Sequence, residues 1–330
     1  MRAMVLAAGL GTRLRPLTYE LPKPMVPVLD RPVMAHILDL LGRYGIDEVI
    51  ANLHYFPETI RGYFGDKLTY RFEEQLLGTA GGVRNCADFF GDETFLVISG
   101  DALTDINLDA LAATHRETGS IATLAVKRVA DTREYGVVIH DDDGQITGFQ
   151  EKPELADARS DLGNCGIYMF EPEIFDHFPA VDPVDWATDV FPELLSAGAP
   201  FHVHETHSYW NDVGSLAELR QGTFDALDGG LEIEPVGQTD EVTGITVCEG
   251  STLDAKAVAS LPIWIGHDVR IGAGVRLHGP VVVGDGATLG DGVCLRETIV
   301  LPGTKVPDRA ILIGAIAGHA GILESLRPRA

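Results

Sequence analysis

Gly9 and Gly11 follow directly on a short apolar run, Ala3 to Ala7, and are themselves followed by Thr12, Arg13, Arg15 and Lys23. Glycine tolerates positive φ and lets the main chain approach a ligand. Successive N–H groups in such a turn form a concavity that fits anionic oxygens. A strand, a glycine-rich turn and then cations is therefore the pattern of a phosphate site. Lys23 stands between Pro22 and Pro24, whose rings restrict the backbone and so fix the reach of the amine. Two familiar phosphate loops are excluded. There is no G-x-x-x-x-G-K-[ST], and Leu14 holds the place of the third glycine in G-x-G-x-x-G. Two carboxylates attract attention next. Asp101 follows the apolar run Phe95 to Ser99 in Gly100-Asp101, and Asp212 lies in Trp210-Asn211-Asp212-Val213-Gly214. Asp101 alone reads as a helix cap as readily as a ligand.

Composition narrows the partners. The 330 residues carry a formal net charge of −24, which excludes a nucleic-acid binder in favour of other classes. An anionic substrate must then be held by a local positive cluster against the overall field. Arg2, Arg13, Arg15 and Lys23, opposed only by Glu20, supply one within the first turns of the chain. No apolar run is long enough to span a membrane. Arg2 and the apolar run after it are not expected to make a signal peptide, because glycines break the run and no A-x-A site follows. Cys86, Cys165, Cys248 and Cys294 form no C-x-x-C pair. They are expected to be reduced core residues of a cytoplasmic protein.

The elements that must position these groups alternate. Strands are expected at Ala3–Ala7, Glu48–Leu53, Leu68–Glu73, Phe95–Ser99 and Ile121–Val126, with helices after Pro32, from Pro57 and over Leu108–Thr118. That order implies a Rossmann-like, mostly parallel α/β sheet. Ligands then bind beyond the carboxyl ends of the strands, where the glycine turn, Gly78 and Asp101 all lie. Met34 and His36 are expected to pack. Tyr135–Ile139 and Ile146–Gln150 flank Asp141-Asp142-Asp143-Gly144, a hairpin with a solvated turn rather than a metal site. Glu151-Lys152-Pro153 closes the hairpin, and Asn164 opens the strand Gly163–Phe170. Ser215 should cap Leu216–Leu227, with Glu218 at the capping-box position.

Beyond Asp228-Gly229-Gly230 the period changes. Val247, Leu253, Ala259, Ile265, Ile271, Leu277, Val283, Leu289, Leu295, Leu301 and Ile313 share a six-residue register broken only at Pro307. A coil with short strands for sides, each pointing one aliphatic residue inward, gives that period. It resembles the left-handed parallel β-helix of hexapeptide-repeat proteins, here with four turns. A capping helix is expected within Ile316–Leu326. The expected domains are 1–228, a linker at 229–244, and 245–330.

The run Gly9-Leu10-Gly11-Thr12-Arg13-Leu14-Arg15-Pro16-Leu17-Thr18, followed by Pro22-Lys23-Pro24-Met25-Val26-Pro27, resembles the signature of the sugar-1-phosphate nucleotidyltransferases. With the β-helix, the resemblance covers the whole chain. It implies that an NTP and a sugar 1-phosphate give an NDP-sugar and pyrophosphate by in-line attack on the α-phosphorus. Such a reaction needs positioning and charge neutralisation more than a protein nucleophile. The resemblance implies that Leu6, Ala8, Gly9, Gly11, Thr12 and Arg13 hold the triphosphate. Lys23 would contact phosphate near the reacting centre. Asp101 and Asp212 would bind Mg²⁺, with Asp105 either a further ligand or a cap. Gly136, Glu151, Lys152 and Asn164 would meet the sugar phosphate. Gly78 and Thr79 would approach the base.

Related uridylyl and thymidylyl enzymes carry Gln where this chain has Glu73. A carboxylate only accepts hydrogen bonds, and guanine offers it two adjacent donors. With Leu77-Gly78-Thr79-Ala80-Gly81 this favours the mannose-1-phosphate guanylyltransferase branch, although Glu74 is an equal candidate for the contact. Enzymes for heptose and N-acetylmuramate phosphates are similar here as well. The alternatives are UTP- or dTTP-dependent transfer to glucose 1-phosphate, an acyltransferase using His267, His278 or His319, and a non-catalytic NDP-sugar-binding homologue. Homo-oligomerisation through the β-helix is expected.

Overall fold

The computed structural model describes residues 1–29, 31–233, 237–240 and 242–325. It divides into two compact units interleaved in sequence. One comprises Met1–Leu10, Pro22–Pro24 and Ile37–Asp212; the other Gly11–Leu21, Met25–His36 and Val213–Ala330.

The first unit is built on a nine-stranded mixed sheet. In one half, Phe95–Ser99, Arg2–Leu6, Val49–Leu53 and Thr69–Phe72 lie side by side and run parallel. The three inner strands, Phe95–Ser99, Arg2–Leu6 and Val49–Leu53, are largely apolar on both faces because both are covered, whereas the edge strand Thr69–Phe72 is partly exposed. Met4, Ile50 and Val97 are wholly buried among them. In the other half, Leu162–Phe170 turns antiparallel against Phe95–Ser99, Ala122–Arg128 and the hairpin strand Gly136–His140. The hairpin partner Ile146–Glu151 forms that edge, and Phe201–Glu205 pairs with Ala122–Arg128. Asp141 closes the hairpin turn by accepting from the N–H groups of Asp143 and Gln145 at 3.1 and 3.0 Å. The core gathers Phe90, Phe95, Phe170, Trp186 and Phe191, with Phe170 and Trp186 stacked 4.6 Å apart.

The second unit holds the parallel β-helix. Ile245, Ile263 and Val281 pair in series along one face, and Val281 then pairs with Thr298. A second face stacks Val258, Leu277, Leu295 and Leu312, and a third Ile271, Leu289 and Val306. The inward row departs from a strict period of six. Against the strand Arg276–Val283, the strand Cys294–Val300 is one residue short, because Gly279-Pro280 bulges between His278 and Val281. Val300, Val306 and Leu312 therefore point inward, where the sixfold count expects Leu301, Pro307 and Ile313. Ile313 is 39% exposed, whereas Val300 is wholly buried. Pro307 never interrupts the row. Val258 likewise takes the place expected for the exposed Ala259.

The helix expected within Ile316–Leu326 is instead an antiparallel hairpin, Ala315–Gly318 with Gly321–Ser325. Gly318 and Gly321 bracket a two-residue turn, and Ile316 pairs as a strand residue with the rung beneath it. Leu326 lies outside the described residues. In the same unit Ser215 caps Leu216–Leu227 by accepting from the Glu218 amide at 3.2 Å. Arg220 on that helix donates to the Gly314 carbonyl at 2.7 Å. Met34 is wholly buried, and buried His36 meets the Val28 carbonyl at 3.0 Å. Among the described residues no helix is long and apolar enough to cross a membrane.

Candidate active site

The glycine turn continues the strand Arg2–Leu6. Gly11 takes φ 61° and starts the 3-10 turn Thr12–Leu14, a left-handed conformation that glycine adopts without strain. Thr18 donates to the Gly11 carbonyl at 2.7 Å, and Leu14 and Leu17 anchor the turn below. Thr12, Arg13 and Arg15 are left exposed. The Arg15 guanidinium lies 5.1 Å from the centre of the Tyr19 ring. Gly11, Thr12 and Arg13 belong to the second compact unit; Leu6, Ala8, Gly9 and Lys23 belong to the first.

Lys23 is 9% exposed, and its ammonium meets Asp101 Oδ2 at 2.5 Å. The segments bearing the two expected metal ligands run side by side. Trp210 pairs with Thr104 and Asn211 with Leu103, antiparallel, so Asp212 leaves this short ladder on the side from which Asp101 enters it. Asp105 secures the arrangement. Its carboxylate accepts from the Tyr209 amide at 2.7 Å, and its own N–H donates to the Tyr209 carbonyl at 3.4 Å. It is not the cap of the helix that follows; Asn107 caps Leu108–Thr118. Val213, next to Asp212, has φ 40°, which is strained for a β-branched residue.

Beside Asp212 lies a cavity of about 410 Å³ lined by Tyr135, Gly136, Glu151, Asn164, Tyr168 and Thr188, among others. Four expected residues, Gly136, Glu151, Asn164 and Asp212, thus meet at one cavity. Glu151 stands opposite Gly136 in the hairpin ladder. Lys152 follows with φ 46°, its N–H bonded to the Tyr135 carbonyl at 3.1 Å and its side chain exposed. Asn164 is aimed by a bulge in Leu162–Phe170, where pairing slips between Asn164 and Tyr168. Gly166 makes the bulge possible. It takes φ 68°, and a Cβ there would sit 2.5 Å from Ser99 Oγ. Asn164 Oδ1 accepts from the Gly166 amide at 3.0 Å, and its Nδ2 donates to the Tyr168 hydroxyl at 3.0 Å. Burial pushes the Tyr168 phenol well above its ordinary pKa, so it stays protonated. Sequence reading missed Tyr135, Tyr168 and Thr188. A glycine inside an otherwise apolar strand was the available signal.

The base-side residues fall differently. Glu73 is 2% exposed, and both carboxylate oxygens have internal partners: Asn52 Nδ2 at 2.8 Å and the Leu77 amide at 3.2 Å. It does not present the open acceptor pair expected for a base. The strand ends at Phe72, and the chain folds residue 73 under the loop that follows, whereas Glu74 is exposed. Gly78, with φ 84°, packs on Val184, whose carbonyl accepts from the Ala80 and Gly81 amides at 3.0 Å. The Thr79 hydroxyl donates to Asp185 at 2.6 Å and accepts from the Trp186 amide at 3.2 Å. Thr79 thereby fixes the segment whose continuation, Ala187-Thr188, lines the cavity.

Within the first unit, a Lys–Asp pair at a strand end and a polar cavity over a bulged strand suit the binding of phosphorylated ligands. Residues 2–228 match the nucleotidyl transferase family, and residues 262–297 match the six-repeat bacterial transferase hexapeptide family. A UTP–glucose-1-phosphate uridylyltransferase from Synechocystis sp. is 36% identical over 94% of this chain and 87% of its own length. A mannose-1-phosphate guanylyltransferase from Mycobacterium tuberculosis is 34% identical over 85% and 79%. Among solved structures, a UDP-glucose pyrophosphorylase from Acinetobacter baumanii superimposes with a TM-score of 0.62 at 20% identity, covering 69% of this chain and 93% of its own. HddC from Yersinia pseudotuberculosis, complexed with GMP-PN, gives 0.58 at 23%, covering 67% and 97%. These two support the fold alone. The chain belongs to the nucleotidyl transferase family, as a sugar-1-phosphate nucleotidyltransferase with a hexapeptide-repeat β-helix.

Proposed function

We propose that the protein transfers a nucleotidyl group from GTP to mannose 1-phosphate, releasing pyrophosphate. The observation that carries the transfer reading is the meeting of Gly136, Glu151, Asn164 and Asp212 at one cavity. The sugar-phosphate oxygen attacks the α-phosphorus as the bond to pyrophosphate breaks, with no covalent enzyme intermediate. Glu151 and Asn164 orient the sugar. Lys152 pairs with its phosphate, Lys23 neutralises charge near the reacting phosphorus, and Arg13 holds the departing pyrophosphate in a guanidinium fork.

Asp101 and Asp212 offer the hard oxygen donors that suit Mg²⁺. Among the described residues no three His, Cys, Asp or Glu cluster as a metal site, so a cation held by these two would complete its shell from phosphate and water. When bound, Mg²⁺ would offset charge on the phosphates.

The guanylyl and mannosyl choices draw on Leu77-Gly78-Thr79-Ala80-Gly81 and on the Mycobacterium tuberculosis relative. UTP with glucose 1-phosphate is a second reading, favoured by the Synechocystis relative. Pyrophosphate release over a matrix of four NTPs and several sugar 1-phosphates separates the two. The proposal expects the highest kcat/KM for GTP with mannose 1-phosphate; a maximum at UTP with glucose 1-phosphate would replace it. The β-helix is proposed as the assembly surface. Ile311 and Ile313 are exposed on it, and sedimentation of the whole chain reads the oligomeric state.

A further inference from the structure

The parallel strands Arg2–Leu6, Val49–Leu53 and Thr69–Phe72 end together, and a buried polar relay joins their ends. Asn52 Oδ1 accepts from the Ala7 amide at 2.8 Å. Asn52 Nδ2 donates to Glu73 Oε1 at 2.8 Å, and Glu73 Oε2 accepts from the Leu77 amide at 3.2 Å. Asn52 is 3% exposed and Glu73 2%. The main chain of Glu73 is held too. Its N–H donates to the Leu53 carbonyl at 2.8 Å, and its carbonyl meets His54 Nδ1 at 2.9 Å. The helix Thr79–Arg84 closes directly over the relay. A Cβ at Gly82 would lie 2.6 Å from Asn52 Nδ2 and 2.8 Å from Glu73 Oε1.

The two outer ends of this relay are main-chain amides. One belongs to Ala7, at the root of the glycine turn, and the other to Leu77, just before Gly78. Burying a carboxylate and an amide is expensive unless each finds partners, and apolar side chains of like volume often serve stability as well or better. Packing alone therefore gives little reason for Asn and Glu here. What the pair supplies is a fixed spacing between two loops. We infer that Asn52 and Glu73 are positioning residues for the nucleotide: they lock the Ala7–Gly9 segment and the Glu74–Gly78 loop together before the NTP arrives. This rests on the proposed nucleotidyl-transfer reading, in which those loops receive the NTP.

The relay has a polarity that can be reversed. Asn52→Asp alone sets two carboxyl groups face to face. Glu73→Gln alone either opposes two amide donors or, if Asn52 flips, turns its NH₂ toward the Ala7 amide. The double variant Asn52→Asp/Glu73→Gln restores every bond with the same total charge. The Ala7 amide and Gln Nε2 then donate to the aspartate, and the Leu77 amide donates to Gln Oε1. Each lost charge-assisted bond corresponds to roughly a tenfold change or more. Each single variant is expected to raise KM for the NTP about tenfold or more, with KM for the sugar phosphate within about twofold of wild type. The double variant should bring KM for the NTP back to within about threefold. Equal rises in both KM values overturn the inference, as does a double variant that melts at the wild-type temperature without recovering KM for the NTP. Should a single variant not fold, Gly82→Ala, which intrudes on the relay without altering its charge, must give the same split. If the wild type turns over no NTP with any sugar phosphate, the functional reading fails separately. Amide hydrogen exchange at Ala7 and Leu77 then tests the relay itself: the single variants lose protection and the double regains it, and unchanged protection in the single variants refutes it.

Discussion

The two halves of the nine-stranded sheet treat their polar groups in opposite ways. At the ends of the parallel strands, polar side chains are turned inward and paired with one another: Asn52 with Glu73, and Lys23 with Asp101. The antiparallel half leaves Glu151 and Lys152 exposed at the end of a hairpin, and a bulge aims Asn164 at a cavity. The difference follows from the strands. Parallel strands covered on both faces can satisfy a polar side chain only internally. A hairpin edge beside a bulge has side chains to spare for a ligand. On the proposed reading, the nucleotide side would work mainly through main chain held in place, and the sugar side through side chains that reach the substrate.

The comparison is broken most severely where carboxylates serve both sides. Asp101→Asn and Asp212→Asn should each lower kcat by roughly a hundredfold or more, with the fold unchanged by circular dichroism, because charge beside the phosphates is lost. Near-wild-type turnover at saturating Mg²⁺ in either variant would remove that residue from the metal site. Lys152→Ala comes next. Loss of one charge-assisted hydrogen bond, about 1.5–3 kcal/mol, should raise KM for the sugar phosphate about ten- to a hundredfold. KM for the NTP should stay nearly constant, and a parallel rise in both would place Lys152 elsewhere. Tyr168→Phe is the mildest. It removes the hydroxyl that accepts from Asn164 Nδ2, about 1 kcal/mol, and should raise KM for the sugar phosphate a few-fold with a small change in Tm. An unchanged KM would mean that Asn164 needs no such support.

Much of this was legible in the chain. Glycine spacing, the prolines around Lys23 and the alternation of strands with helices placed the glycine turn and the sheet, because these depend on local backbone chemistry. The hairpin around Asp141-Asp142-Asp143-Gly144 and the cap at Ser215 were legible for the same reason. What escaped depends on contacts distant in sequence. Glu73 reads as a base contact in the sequence, but that it is buried with Asn52 and Leu77 bonded to its two oxygens could not be read there. The inward row of the β-helix slips by one residue because a bulge at Gly279-Pro280 makes one coil longer than the next. A count along the chain continues to Ile313, whereas the fold turns Leu312 inward. The C-terminal hairpin follows from the same cause, since the exposed last rung gives Ile316 a strand to pair with.

The division of labour is tested most directly by one steady-state comparison, with both KM values measured side by side in Lys152→Ala and Asn52→Asp. The account predicts opposite splits. Lys152→Ala should raise KM for the sugar phosphate by about tenfold or more and leave that for the NTP nearly unchanged, and Asn52→Asp should do the reverse. If both variants raise the two KM values in the same ratio, the halves of the sheet do not divide the substrates between them.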